Sequence, residues 1–66
     1  MTNKQTFDAI RALGLAAQLN NGEWQVDYRR DDSRRTPGTR YFTNDKEDAL
    51  ATARVMASHK RNDMGV

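Results

Sequence analysis

Five arginines, Arg29, Arg30, Arg34, Arg35 and Arg40, fall within twelve residues of a 66-residue chain, with Asp31 and Asp32 the only acids among them. A guanidinium is planar, permanently charged and able to hold a phosphate or a carboxylate through two parallel hydrogen bonds. Several of them delivered on one loop are the chain's clearest candidate for binding chemistry. Phe42 follows two residues later. If it is exposed beside Arg29 and Arg40 on a sheet, it could stack a base of single-stranded nucleic acid. The same residues suit a protein partner, because arginine also dominates protein interfaces. Two quieter readings compete. The arginines could keep a long loop soluble and pair with Asp27, Asp31 and Asp32, and Phe42 could fold under the start of a following helix as a staple.

Catalysis has no comparable constellation. The single histidine, His59, falls near the end of a helix, where the dipole favours an imidazolium, and its ordinary role there is a solvated side chain. The chain has no cysteine, which excludes disulfides and thiolate metal sites. One histidine with scattered carboxylates is not a metal cluster. Asp45, Glu47 and Asp48 have a sufficient role at a helix start, and Ser33 has no base at a telling distance. The four glycines occur singly, so there is no phosphate-cradling loop. The expectation is a non-enzymatic protein with no cofactor and no metal.

A β-hairpin is the element that must position the arginines. Asn21-Gly22 is the dipeptide preferred by a two-residue type I′ turn, whose central residues both need positive φ. Closing the chain there sets Leu19 opposite Trp24, Ala17 opposite Val26 and Leu15 opposite Tyr28. All three apolar pairs then share one face, and Gln18 and Gln25 share the other. Ahead of the hairpin, Phe7, Ile10 and Leu13 recur at helical spacing and predict a helix over Thr6–Leu13, with a start up to two residues earlier, stopped by Gly14. A competing reading runs that helix through Ala16 and Ala17 to Leu19, because alanine is the best helix former. The break at Gly14 is preferred because it frees Leu15–Asn20 to match the next strand.

Glu23–Arg30 reads as the second strand, with Trp24, Val26 and Tyr28 alternating with Gln25, Asp27 and Arg29. Asp31–Gly38 then reads as a polar loop ending in a Pro37-Gly38 turn, and Thr39–Thr43 as a short third strand. A second helix follows, capped by Asn44 with Glu47 completing a capping box, or alternatively by Thr43. Acids in its first turn and Lys60 with Arg61 at its end complement the dipole. Ala49, Leu50, Ala53, Met56 and Ala57 form its apolar stripe. Residues 61–66 are expected to be a frayed tail on a single small domain spanning residues 1–66. The class is therefore α+β, in the order α-β-β-β-α, with both helices on one face of a three-stranded antiparallel sheet. The expected core is Phe7, Ile10, Leu13, Leu15, Leu19, Trp24, Val26, Tyr28, Leu50, Ala53, Met56 and Ala57. Gln18, Gln25, Asp27 and Arg29 would face solvent.

A net charge of +2 is too small to argue for nucleic acid by itself. No apolar run approaches the ~20 residues that span a bilayer, and the opening Met1–Gln5 lacks the apolar stretch of a signal peptide. The expected location is cytoplasmic, with no membrane association. The outer strands carry little Lys or Pro protection, which allows self-association by strand pairing.

In element order the chain resembles the double-stranded-RNA-binding domain. That family reaches RNA through its first helix, the turn between its first two strands and a lysine cluster opening its second helix. Here the turn is a bare Asn21-Gly22 and the second helix opens Asp45-Lys46-Glu47-Asp48, so the resemblance reaches topology and stops short of the RNA contacts. The run from Tyr41 to Ala53, a strand leading into a capped helix, resembles segments of small bacteriophage and prophage proteins. That resemblance implies an accessory or host-directed binder. The functional expectation is an interaction module that meets a protein through Arg29, Arg30, Arg34, Arg35, Arg40 and Phe42, with nucleic acid as the alternative ligand.

Overall fold

The computed structural model describes residues 1–64, and side chains through residue 59. Its first element, α1, spans Asn3–Ala12, so the helix begins three residues before Thr6. The earlier start has a local cause. The Thr2 side chain accepts the Gln5 N–H at 3.1 Å and the Gln5 side chain accepts the Thr2 N–H at 2.8 Å, a reciprocal capping box. Thr6, which the apolar pattern leaves out of the core, is fully buried, and its hydroxyl is satisfied there by donating to the Thr2 carbonyl at 3.0 Å. Gly14 ends the helix at φ 81°, a conformation that an L side chain resists.

The hairpin forms with the expected register. Strand β1 is Leu15–Asn20 and β2 is Glu23–Tyr28, paired antiparallel with Leu19 opposite Trp24, Ala17 opposite Val26 and Leu15 opposite Tyr28. Asn21 and Gly22 sit at φ 52° and 81°, the double positive φ of the type I′ turn. Strand β3 is only Tyr41–Thr43 and pairs with β2 by setting Val26 opposite Tyr41, Gln25 opposite Phe42 and Trp24 opposite Thr43. It is shorter than the expected Thr39–Thr43 because Thr39 is drawn into the loop before it. The sheet order is β1-β2-β3.

Helix α2 runs Lys46–Met64. Its cap is Asp45, whose carboxylate accepts the Glu47 N–H at 2.9 Å. The expected caps, Asn44 and Thr43, do not serve. Thr43 is committed to β3, and its hydroxyl accepts the Asp45 N–H at 3.2 Å, which carries the chain past Asn44 before the helix can begin. The backbone stays helical beyond the expected stop near residue 61. The side chains of Lys60 and Arg61, and residues 65–66 of the expected tail, lie outside the described residues.

Both helices pack on one face of the sheet. The buried core is Ile10, Leu15, Trp24, Val26, Tyr28, Ala49, Leu50, Ala53 and Met56, with Phe7, Leu13, Ala17 and Leu19 packed partly buried against it. Ala49 and Ala53 have no exposed surface, so the helix backbone lies close to the strands. Phe7 meets Trp24 with ring centroids 4.7 Å apart, and the Arg11 guanidinium lies 5.3 Å from the Phe7 ring centre. Among the described residues no helix is long and apolar enough to cross a membrane.

Candidate functional site

The face of the sheet away from the helices is not open throughout. Asp27, expected among its solvated residues, is 7% exposed. Asp is disfavoured within strands, and a buried carboxylate must be paired to be tolerated. Here it has four partners. Oδ1 accepts from the Tyr28 N–H and the Thr39 hydroxyl, both at 2.7 Å. Oδ2 lies 3.3 Å from Arg35 Nε and 3.9 Å from Arg40 Nε. The Thr39 oxygen is also 2.9 Å from the Thr36 carbonyl. Its single proton goes to the carboxylate, which is the stronger acceptor.

Asp27 therefore folds the long connection between β2 and β3 back over the sheet. Local turns support the path, with the Asp32 N–H bonded to the Arg29 carbonyl and the Arg35 N–H to the Asp32 carbonyl. Within it Arg34 pairs with Asp32 at 3.2 Å. Three of the five arginines are thus paired with acids of the sheet or the loop itself.

Their positions divide into two groups. Arg30, Arg35 and Arg40 line a cleft of about 360 Å³ on the far face, with Gln18, Gln25 and Asp27. Phe42 projects on the same face beside Gln25 and is 48% exposed, so it does not fold under α2 as a staple. Arg29 and Arg34 line a separate concavity with Asp31, Asp32 and Ser33. Arg29 was expected to join Arg40 and Phe42 on the sheet. Strand β2 ends at Tyr28, the alternation stops there, and Arg29 turns away with the loop. Arg29 and Arg30 are exposed and hold no ion pair among the described residues.

Tyr41 lies on the helix side at the sheet margin, 36% exposed, and its hydroxyl donates to Asp48 Oδ2 at 2.6 Å. This bond from Tyr41 holds the Asp48 carboxyl below its ordinary pKa, with Thr43 adding in the same direction. The same bond raises the Tyr41 phenol above its ordinary value, because ionisation would destroy it. Its effect is to join β3 to the first turn of α2.

The far-face cleft offers guanidinium donors, two primary amides and a carboxylate already engaged by two arginines. His59 is exposed on α2, away from it. Among the described residues no group of three or more His, Cys, Asp or Glu side chains could hold a metal ion. The quieter reading, in which the arginines pair with neighbouring acids, holds for Arg34 with Asp32 and for Arg35 and Arg40 with Asp27. What sequence reasoning missed is that Asp27 is buried rather than solvated. The available signal was an acid in mid-strand followed by five arginines, a combination that invites closure of the loop onto the strand. Comparison of the chain with protein-family models, with curated proteins and with solved structures finds no match.

Proposed function

We propose that this protein is a non-enzymatic interaction module that binds a carboxylate-bearing surface of another protein through the far face of its sheet. Arg30, Arg35 and Arg40 provide the cationic contacts, Gln18 and Gln25 the amide hydrogen bonds, and Phe42 an exposed ring on the same face, on the strand residue opposite Gln25. Arg29 and Arg34 extend the cationic surface along the neighbouring loop. The observation that carries the reading is the presence of three arginines and an exposed aromatic on one face, with Arg35 and Arg40 held in place by Asp27. Three carboxylates, Asp27, Asp31 and Asp32, stand among the five arginines and offset much of their charge. A face of mixed charge suits a protein surface better than a phosphate backbone, where affinity grows with every uncompensated cation.

Binding of a labelled glutamate-rich peptide and of a single-stranded oligonucleotide, each at low and high salt, tests the proposal. The informative variant is Arg30→Ser with Phe42→Ser, because neither residue supports the loop. Peptide binding that weakens about tenfold or more in this variant supports the reading. Tighter oligonucleotide binding, with a log–log salt slope of about −0.7 for each phosphate neutralised, would give the face to nucleic acid instead. Peptide affinity equal in variant and parent would remove the far face from consideration.

A further inference from the structure

The two margins of the sheet are unequal. In a two-residue hairpin the residues flanking the turn exchange both backbone hydrogen bonds, and the pattern alternates from there. Asn20–Glu23, Gln18–Gln25 and Ala16–Asp27 are therefore the bonded pairs of β1 and β2. The N–H and C=O groups of Leu15, Ala17 and Leu19 point the other way, towards the side of β1 that has no neighbouring strand. Among the described residues no hydrogen bond from outside the sheet reaches them.

Protein edges of this length normally carry protection: a proline, an inward lysine, a bulge or a covering segment. Strand β3 is protected by its brevity at three residues. Strand β1 runs six residues, Leu-Ala-Ala-Gln-Leu-Asn, in unbroken register and with no proline. It also has no charged side chain, in a chain that is 30% charged.

We propose that β1 pairs antiparallel with β1 of a second copy of this chain, joining two sheets into one of six strands. Three observations select a second copy as the occupant. A two-fold contact brings each residue near its own kind, so any charge close to the axis would repel itself, and β1 has none. The outward groups of Leu15, Ala17 and Leu19 are symmetric about Ala17. This sets Ala17 on the axis, Leu15 opposite Leu19 of the partner subunit, and Ala16 opposite Gln18 of the partner subunit. Finally, the ends differ in charge, with Asp45 and Lys46 offsetting each other beside Leu19 and Gly22 and leaving Glu23 as the net charge of the turn end. Arg11, Arg29 and Arg30 gather around the Leu15 end, whereas Glu23 sits at the turn end, and antiparallel pairing sets one end against the other. Half-buried Ala17 and Leu19 gain cover, and both arginine clefts come to lie on one continuous face.

Sedimentation across a wide concentration range tests the pairing. The expected result is a reversible species of twice the 7.5 kDa chain mass. Ala17→Pro removes an outward N–H while sparing the bonds to β2, and should abolish that species. A pair of double variants covers the case in which proline disturbs the fold, since Ala16 and Gln18 are exposed. Ala16→Lys with Gln18→Lys sets like charges opposite each other across the axis and should weaken the dimer by about tenfold or more. Ala16→Lys with Gln18→Glu sets opposite charges there and should retain it. A monomer at every concentration, or a dimer equally stable in both double variants, overturns the proposal.

Discussion

Replacing Asp27 by asparagine keeps the side chain's shape and the acceptor for Thr39 and the Tyr28 N–H, but removes the charge that Arg35 and Arg40 face. The two ion pairs lost are at 3.3 and 3.9 Å, and their arginine side chains are 34% and 46% exposed. Pairs this wet contribute a fraction of the strength of buried ones, about 0.5 kcal/mol each. Asp27→Asn should therefore cost about 1 kcal/mol, or ~4–8 °C in Tm for a domain of this size. Asp27→Ala also strands a hydroxyl and an amide that now share one carboxylate oxygen, and should cost ~2–3 kcal/mol. Urea unfolding followed by the emission of Trp24, the only tryptophan, measures both. Amide exchange in residues 29–40 should accelerate more than exchange in β1 and β2. An asparagine variant with the parent's urea midpoint and the parent's loop protection would show that something other than Asp27 holds the loop.

Tyr41→Phe removes the bond to Asp48, and its effect should depend on pH. Asp48 is held below its ordinary value of 3.8, so its share of the stabilisation is complete above that pH and disappears as pH falls through the lowered value. Tyr41 is raised above 10.0, so its share is complete below that pH and lost as pH rises past the raised value. Parent and variant stability curves should thus be furthest apart between these limits and converge in acid and in alkali; a constant gap throughout would contradict the assignment. At the start of α2, Asp45→Ala should cost about 1 kcal/mol in urea unfolding while Asn44→Ala is near neutral, and the reverse order would return the cap to Asn44. Gly22 has open space where a Cβ would stand, yet sits at φ 81°, so Gly22→Ala should cost ~1 kcal/mol by backbone strain alone. In the same unfolding assay Gly22→Asn should cost less, because asparagine tolerates the left-handed region.

Features determined by neighbours in sequence were readable before the structure. Asn21-Gly22 sets its own turn, the turn sets the register, and the register sorts Leu15, Trp24, Val26 and Tyr28 onto the helix side. The α2 stripe was equally plain, since Ala49, Leu50, Ala53, Met56 and Ala57 follow one helical period. The start of α1 was also written locally, in Thr2 and Gln5, but apolar periodicity begins only at Phe7 and drew the boundary inward. Three adjacent capping residues, Thr43, Asn44 and Asp45, could not be ranked without knowing that β3 claims the first. The candidate site was the least readable part. Whether Arg35 and Arg40 project or fold back depends on a carboxylate eight and thirteen residues earlier, and on a loop path with no periodic signal. Arg29 departs from its expected place for a related reason: alternation alone carries the second strand to Arg30, two residues past Tyr28, where the strand ends.

Mapping amide shift changes during titration of the isotopically labelled protein with the glutamate-rich peptide locates the binding face directly. The account predicts changes concentrated at Gln18, Gln25, Arg30, Arg35, Arg40 and Phe42, and lost in the Arg30→Ser, Phe42→Ser variant. Changes centred on the outer surface of α2 around Val55, with the far face of the sheet silent, would contradict it.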